Sequence, residues 1–227
     1  MAYLVSIITA VIVLILGIGL VKKFDKSPDQ KLTRKTIVGA IILFTVFSML
    51  GFSGIFENFE ARPPRFFLLL PSIIIANIFI WRSQWARDVV SMVPLWVLVG
   101  FQGFRFMPEY LLHTAYLDGL APIQMTWHGY NFDVLSAVIG ILAGWWLARG
   151  GREMIAWIAS VVGIVLLATI LFIAVTSAPT PFRLFINEPA NTFVASFPYI
   201  LLPGVHVFLA ILVHGLTIKK LLQARTQ

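Results

Sequence analysis

The sequence predicts an all-α integral membrane protein, a seven-helix transmembrane bundle that forms one domain over residues 1–227. Composition is the first observation behind this prediction. Of the 227 residues, 59% are hydrophobic and 12% are charged, whereas a soluble domain must cover its outside with polar groups. The second observation is a series of apolar runs near the ~20 residues that a helix needs to cross a ~30 Å hydrocarbon core.

The first span is predicted at residues 2–21, because the run is apolar throughout and Lys22 and Lys23 follow it directly. No basic residue precedes the run and no small-residue cleavage site follows it, which favours an uncleaved span over a signal peptide. The other predicted spans begin and end at about 36–56, 66–81, 89–108, 132–147, 154–176 and 198–218.

The breaks between these spans have local causes. Pro63 and Pro64 end the second span, since proline cannot continue a helix. Arg65 and Arg82 flank the third span, where their long side chains can reach the head groups. The glycine pair of 148–152 makes a tight turn between the fifth and sixth spans.

The distribution of basic residues predicts the orientation. The four links assigned to the cytoplasm hold six, two, two and three of the 17 Lys and Arg residues, and four lie outside. Because cytoplasmic loops are enriched in Lys and Arg, the N-terminus is expected outside and the C-terminus in the cytoplasm.

Composition also excludes several classes of function. The net charge of +7 lies in short runs between apolar segments rather than on one basic face, so no nucleic-acid partner is predicted. Without cysteine, the chain has no thiolate nucleophile and no cysteine-based metal site. A retinal protein is excluded, because no lysine occurs between Lys35 and Lys219 to form a Schiff base in the last span. No cofactor is predicted.

Ionisable residues are concentrated in the segment 101–133, between two apolar spans. At 100° per residue, Gln102, Arg105, Glu109 and His113 fall within an arc of about 80° on one helix. Counted from the start of the predicted fourth span, Arg105 and Glu109 are expected near the outer interface. A cation, a carboxylate and an imidazole on one stripe can bind a polar group or move a proton. The competing interpretation is an Arg105–Glu109 ion pair with a purely structural role.

Five further residues complete the predicted ligand-binding set: His128, Asn131, Asp133, Glu188 and His206. Asn131 or Asp133 is alternatively expected to cap the fifth helix. His206 lies in the outer half of the last span and needs a hydrogen-bond partner there, for which Glu109 is the expected candidate.

The remaining polar and small residues carry weaker signals. His214 is expected to reach the head groups near the inner face. A metal ion held by these histidines and carboxylates is an alternative, but their spacing matches no metal motif and no metal site is predicted. Gly140 and Gly144 form a GxxxG pair that permits another helix to approach closely.

Four segments resemble an uncharacterised family of bacterial polytopic membrane proteins: FRFMPEYLLH, PIQMTWHGYNFD, SAPTPFRLFINEP and FPYILLPGVHVFLAILVHGL. In that family a glutamate follows a Phe-Arg pair, and an Asn-Phe-Asp triplet opens the next span. Phe104, Arg105 and Glu109 match the first pattern, and residues 131–133 match the second. The resemblance covers about the second half of the chain. It implies a multi-pass protein of the bacterial cytoplasmic (inner) membrane and brings no known activity.

The sequence therefore predicts an outward-facing polar pocket that binds or transports a small polar or anionic molecule or a lipid head group. Membrane lipids are the expected partners. One alternative is an intramembrane enzyme that acts on a lipid or isoprenoid at the outer leaflet. Its candidate catalytic residues are Glu109, Asp133 and His113. Another alternative is a structural subunit without a ligand.

Overall fold

The structure, a computed structural model, describes residues 1–224, and within that range it contains nine α-helices and no strand. They are α1 (Ala2–Phe24), α2 (Lys31–Phe52), α3 (Leu69–Arg82), α4 (Gln84–Met92), α5 (Leu95–Phe101), α6 (Phe106–Leu117), α7 (Val134–Ala148), α8 (Met154–Thr176) and α9 (Phe208–Ala224). Large apolar side chains are exposed along the outside, Ile41 and Leu142 among them at 60% each. Such a surface suits lipid rather than water. The prediction of an all-α membrane protein is confirmed.

The structure supports a range for the number of membrane spans and not one value. Among the described residues, five helices are long and apolar enough to cross a membrane, at 2–24, 28–52, 65–82, 154–176 and 202–224. A sixth crossing would be the bent pair 84–92 and 95–117, and α7 is a shorter apolar helix of 15 residues. Seven spans and the predicted orientation stay predictions.

The fourth span predicted at 89–108 is wrong in its start. The helix that contains Val89 ends at Met92, and the chain turns by 108° before α5 begins at Leu95. Pro94 explains the break, because the residue before a proline avoids helical geometry, and Val93 is extended (ψ 125°). Beyond it, α5 and α6 continue each other through a short 3₁₀ turn at Gln102–Arg105.

Hydrogen bonds between distant segments define two ends of the bundle. At the Asp118 end, the Ala2 N–H donates to the Asp118 carboxylate (2.7 Å) and the Ser6 hydroxyl to the Pro198 carbonyl (2.9 Å). At the Lys219 end, Lys219 donates to the Trp81 carbonyl (2.6 Å).

The end of α2 belongs to the Asp118 end, where Phe52 stacks on Phe197, and so does the end of α8, where Gln124 bonds Ser177. The start of α2 lies at the Lys219 end, where Trp85 donates to Thr36. These links of the chain therefore alternate between the two ends.

The segment 119–133, which follows α6 at the Asp118 end, is irregular apart from one 3₁₀ turn, and part of it is buried in the bundle. Met125, Thr126 and Asn131 are each at most 2% exposed. Backbone without helical hydrogen bonds is tolerated at membrane depth only where protein surrounds it. The fold is tight enough that a Cβ on Gly129 would lie 2.4 Å from the Ile123 carbonyl oxygen, so glycine is required there.

The same succession of turns occurs twice, at 121–130 and at 191–200. Each segment has a 3₁₀ turn, Ile123–Met125 in the first and Phe193–Ala195 in the second, followed by a hydroxyl residue that bonds back to the turn. Each comes after a helix that rises to the Asp118 end and leads into a helix that returns. The two segments have no identical residue at matched positions, so the repeat is not visible in the sequence.

Candidate functional site

A cavity of about 300 Å³ lies between α3, α6, α8 and the start of α9. Twenty of its 24 lining residues are apolar, among them Phe67, Leu70 and Leu171. Its four ionisable residues are Arg105, Glu109, Asp133 and His206. These four belong to the set predicted from sequence, and the structure brings them to one cavity.

Arg105 forms the centre of a buried polar network. Its side chain is 1% exposed and forms a salt bridge with Asp133, which is also buried. The guanidinium further donates to the Gly163 carbonyl of α8 (3.2 Å) and lies 3.5 Å from His214 Nε2 of α9. Through this one cation, the turn between α5 and α6 is connected to α8, to α9 and to the residue that precedes α7.

The close packing around Arg105 depends on a glycine. A Cβ on Gly163 would lie 2.7 Å from the His214 ring, so only glycine lets α8 present its carbonyl to Arg105 beside that histidine. The expectation that His214 reaches the head groups is wrong, since its ring is 4% exposed and faces Arg105.

Asn131 and Asp133 hold the site together by side-chain bonds. The Asn131 amide donates to Glu109 (2.6 Å) and to the Met125 carbonyl (3.0 Å), while its oxygen accepts from the Asp133 N–H (3.0 Å). Ser136 donates its hydroxyl to the Asp133 carboxylate (2.8 Å). The expected helix cap is not formed by Asp133, which directly precedes α7 but whose carboxylate bonds Arg105 and Ser136 instead of the helix N–H groups. Asn131 does accept the N–H of Asp133 at the entrance to α7, as in an Asx turn. The alternative Arg105–Glu109 ion pair is likewise not the arrangement observed.

His206 lies in the wide π-helical turn Leu202–Val207 that precedes α9. Pro203 lacks an N–H and clashes with the preceding turn, which explains the irregularity. The His206 ring is 1% exposed, and its Nδ1 donates to the Leu201 carbonyl (3.2 Å). The expected bond to Glu109 is not formed, and Nε2 has no hydrogen-bond partner among the described residues.

Four predicted residues lie away from the cavity. His113 stacks on Trp127, with ring centroids 4.3 Å apart, and lies 5.2 Å from the ring of His128. Gln102 is buried beside Gly140, where neither of its amide atoms has a partner within residues 1–224. His113, His128 and Gln102 therefore lie elsewhere in the bundle and do not line the cavity.

Glu188 is the fourth predicted residue outside the cavity. It is exposed in the connection between α8 and α9, where Arg183 donates to its carboxylate (2.9 Å) and lowers its pKa. The carboxylate accordingly stabilises the connection itself, together with its bond from the Ala190 N–H.

The sequence predicts Arg105 near the outer interface, counted from Val89, and this depth is wrong. The bend at Pro94 makes Leu95 the start of the helical segment, so fewer residues separate that start from Arg105. Measured from Leu95, Arg105 lies roughly 15 Å along the segment instead of near its outer end. Its partner Gly163 is close to the middle of α8. The ionisable groups are therefore near the centre of the bundle, and apolar residues such as Val175 line the cavity closer to the Asp118 end.

The arrangement joins a large apolar wall to a small polar region. Asp133 and Arg105 neutralise each other, whereas Glu109 and His206 line the same cavity without an ion-pair partner among the described residues. Such groups can bind a polar substituent or accept a proton from it. Within residues 1–224, no three His, Asp or Glu side chains are placed to hold a metal ion.

Comparison of the chain with family models, curated proteins and solved structures finds no match.

Proposed function

We propose that this integral membrane protein binds a lipid-soluble small molecule in the cavity beside Arg105, with the apolar body of the ligand against α3 and α8. The observation that carries this proposal is the lining, in which 20 apolar residues surround four ionisable ones. Ligand sites typically combine such an apolar wall with a few polar groups that fix orientation.

This ligand class differs from the small anion expected from sequence. An anion would need a free cation, but Arg105 is already paired with Asp133. The apolar wall also gives a small polar ion nothing to replace its hydration. An amphiphile matches both the wall and the buried groups. Transport and catalysis by Glu109, Asp133 or His113 stay predictions.

A cavity-filling substitution tests the proposal. Ala174 lines the cavity on α8, and Ala168 is exposed to the outside on the same helix. We expect purified wild-type protein to bind one molecule of dodecan-1-ol per chain, as counted by native mass spectrometry. Ala174→Phe should weaken binding at least about tenfold, because an aromatic ring occupies the ligand volume.

Ala168→Phe is the matched control and should bind like the wild type. Saturable binding that both phenylalanine variants retain would place the ligand elsewhere. No binding to the wild-type protein would contradict the proposed function.

We further propose that the chain crosses the bacterial inner membrane seven times with the Asp118 end outside. The alternation of links between two ends supports this topology, as does the clustering of Lys and Arg at the Lys219 end.

Labelling of single cysteines tests the orientation, because the chain has no cysteine of its own to react. Glu188→Cys should react with an impermeant maleimide in intact cells, whereas Lys26→Cys should react only after permeabilisation. The reverse pattern would invert the proposed orientation.

A further inference from the structure

His206 lines the cavity, and its Nε2 is buried without a hydrogen-bond partner within residues 1–224. The Leu201 carbonyl can only accept, so His206 Nδ1 carries the hydrogen and donates it (3.2 Å). A neutral imidazole that donates from one nitrogen accepts at the other. A second proton on Nε2 would place a charge in a site 1% exposed, where no carboxylate bonds to the ring.

The other polar groups of the cavity already have partners. The Glu109 side chain accepts from Asn131, and three of the five N–H groups of Arg105 point to Gly163, His214 and Asp133. Among the side-chain polar atoms of the lining residues, His206 Nε2 is the one that is buried without a partner within residues 1–224.

From these contacts we infer that the ligand is an apolar molecule with a hydroxyl group, an alcohol or a phenol, that donates its hydrogen to His206 Nε2. This inference rests on the proposed function and adds the chemistry of the polar group. A buried acceptor without a partner is costly. The hydroxyl of a ligand supplies the missing donor, and its carbon skeleton fills the apolar volume.

Two pairs of isomers test the inference. Dodecan-1-ol and methyl undecyl ether have the same atoms, but only the alcohol donates a hydrogen bond. 4-Hexylphenol and 4-pentylanisole are the second pair of isomers, of which only the phenol donates a hydrogen bond. Comparison of the two pairs distinguishes a preference for aromatic hydroxyls from one for aliphatic hydroxyls. We expect wild-type protein to bind at least one hydroxyl compound about three- to tenfold more tightly than its ether, which corresponds to one net hydrogen bond.

His206→Phe keeps a ring but removes the acceptor, so the preference should fall to about onefold while ether binding persists. His206→Gln keeps an acceptor oxygen and should retain part of the preference. Persistence of ether binding in both variants demonstrates that the cavity is intact.

The outcomes separate the two proposals. If no compound binds to the wild type, both the proposed function and this inference are contradicted. If hydroxyl compound and ether bind equally well in both pairs, the cavity binds ligands but the hydroxyl assignment is overturned, and a water molecule then satisfies His206. A preference that survives in His206→Phe would overturn the assignment to this histidine.

Discussion

Arg105→Met is expected to lower the free energy of unfolding by about 3–5 kcal/mol, because it leaves the buried Asp133 carboxylate without its cation. The substitution also removes the donor to the Gly163 carbonyl. Titration of mixed micelles with SDS measures the change. This loss should exceed that of any exposed charge in the chain, since exposed ion pairs contribute ~0–1 kcal/mol.

The double variant Arg105→Met/Asp133→Leu separates loss of the pair from loss of one partner. A buried ion pair replaced by apolar side chains of similar size is often neutral, so the double variant should recover most of the stability lost in Arg105→Met. The coupling follows from the four corners of the mutant cycle. Additive losses, with no recovery in the double variant, would mean that the two side chains do not depend on each other.

Glu188→Met provides the comparison at the surface. The Glu188 side chain is 72% exposed, and Arg183 keeps its bonds to the Phe185 and Asn187 carbonyls when the carboxylate is removed. We expect less than about 1 kcal/mol of destabilisation, even though the two ion pairs contain the same chemical groups. Burial, and not the presence of an ion pair, sets the magnitude.

The ionisable residues of the cavity could be predicted from sequence because charges are rare in apolar segments. Arg105, Glu109, Asp133 and His206 are each costly groups at membrane depth, and burial in a shared cavity is the way such groups become tolerable. Helical spacing alone places Arg105 and Glu109 on one face. It also places His113 there, but this ring packs on Trp127 outside the cavity.

The partners of these residues could not be predicted, because tertiary contacts decide them. Nothing in the sequence near Arg105 indicates that Gly163 and His214 approach it from two other helices. Glycine in the middle of α8 is the available signal, since small residues in membrane helices mark close approach. Local geometry is also hidden: the two segments 121–130 and 191–200 share a succession of turns, but their sequences have no identical residue at matched positions.

Hydropathy predicts the positions of the long helices and fails where the chain bends. An apolar run continues through Pro94, so a window of hydropathy extends the fourth span back to Val89. The helix Gln84–Met92 has apolar residues on one face only, with Ala86, Val89 and Val90 buried. That pattern is typical of a helix at the interface, nearly perpendicular to the spans.

Gly144→Leu is expected to cost about 3 kcal/mol of unfolding free energy, because it separates α5, which leads to Arg105, from α7, which follows Asp133. A Cβ on Gly144 would lie 2.7 Å from the Gly100 Cα and 2.8 Å from the Trp96 carbonyl oxygen. Both atoms are backbone, so α7 must move away from α5, and overpacking of this kind typically costs about 1–3 kcal/mol or more. The close approach predicted from the GxxxG pair is confirmed.

Gly39→Leu is the matched control, since Gly39 lies in α2 and a Cβ at this position would have nothing within 4 Å. It should change stability by less than about 0.5 kcal/mol. Asp133 begins the helix that Gly144→Leu displaces, so this variant should also lose dodecan-1-ol binding, whereas Gly39→Leu keeps it. Equal stability of the two leucine variants in SDS titrations would contradict the close packing of α5 and α7. If Gly144→Leu loses stability but still binds dodecan-1-ol, the cavity tolerates a shift of α7. The polar network would then result from the packing of the helices and would not determine it.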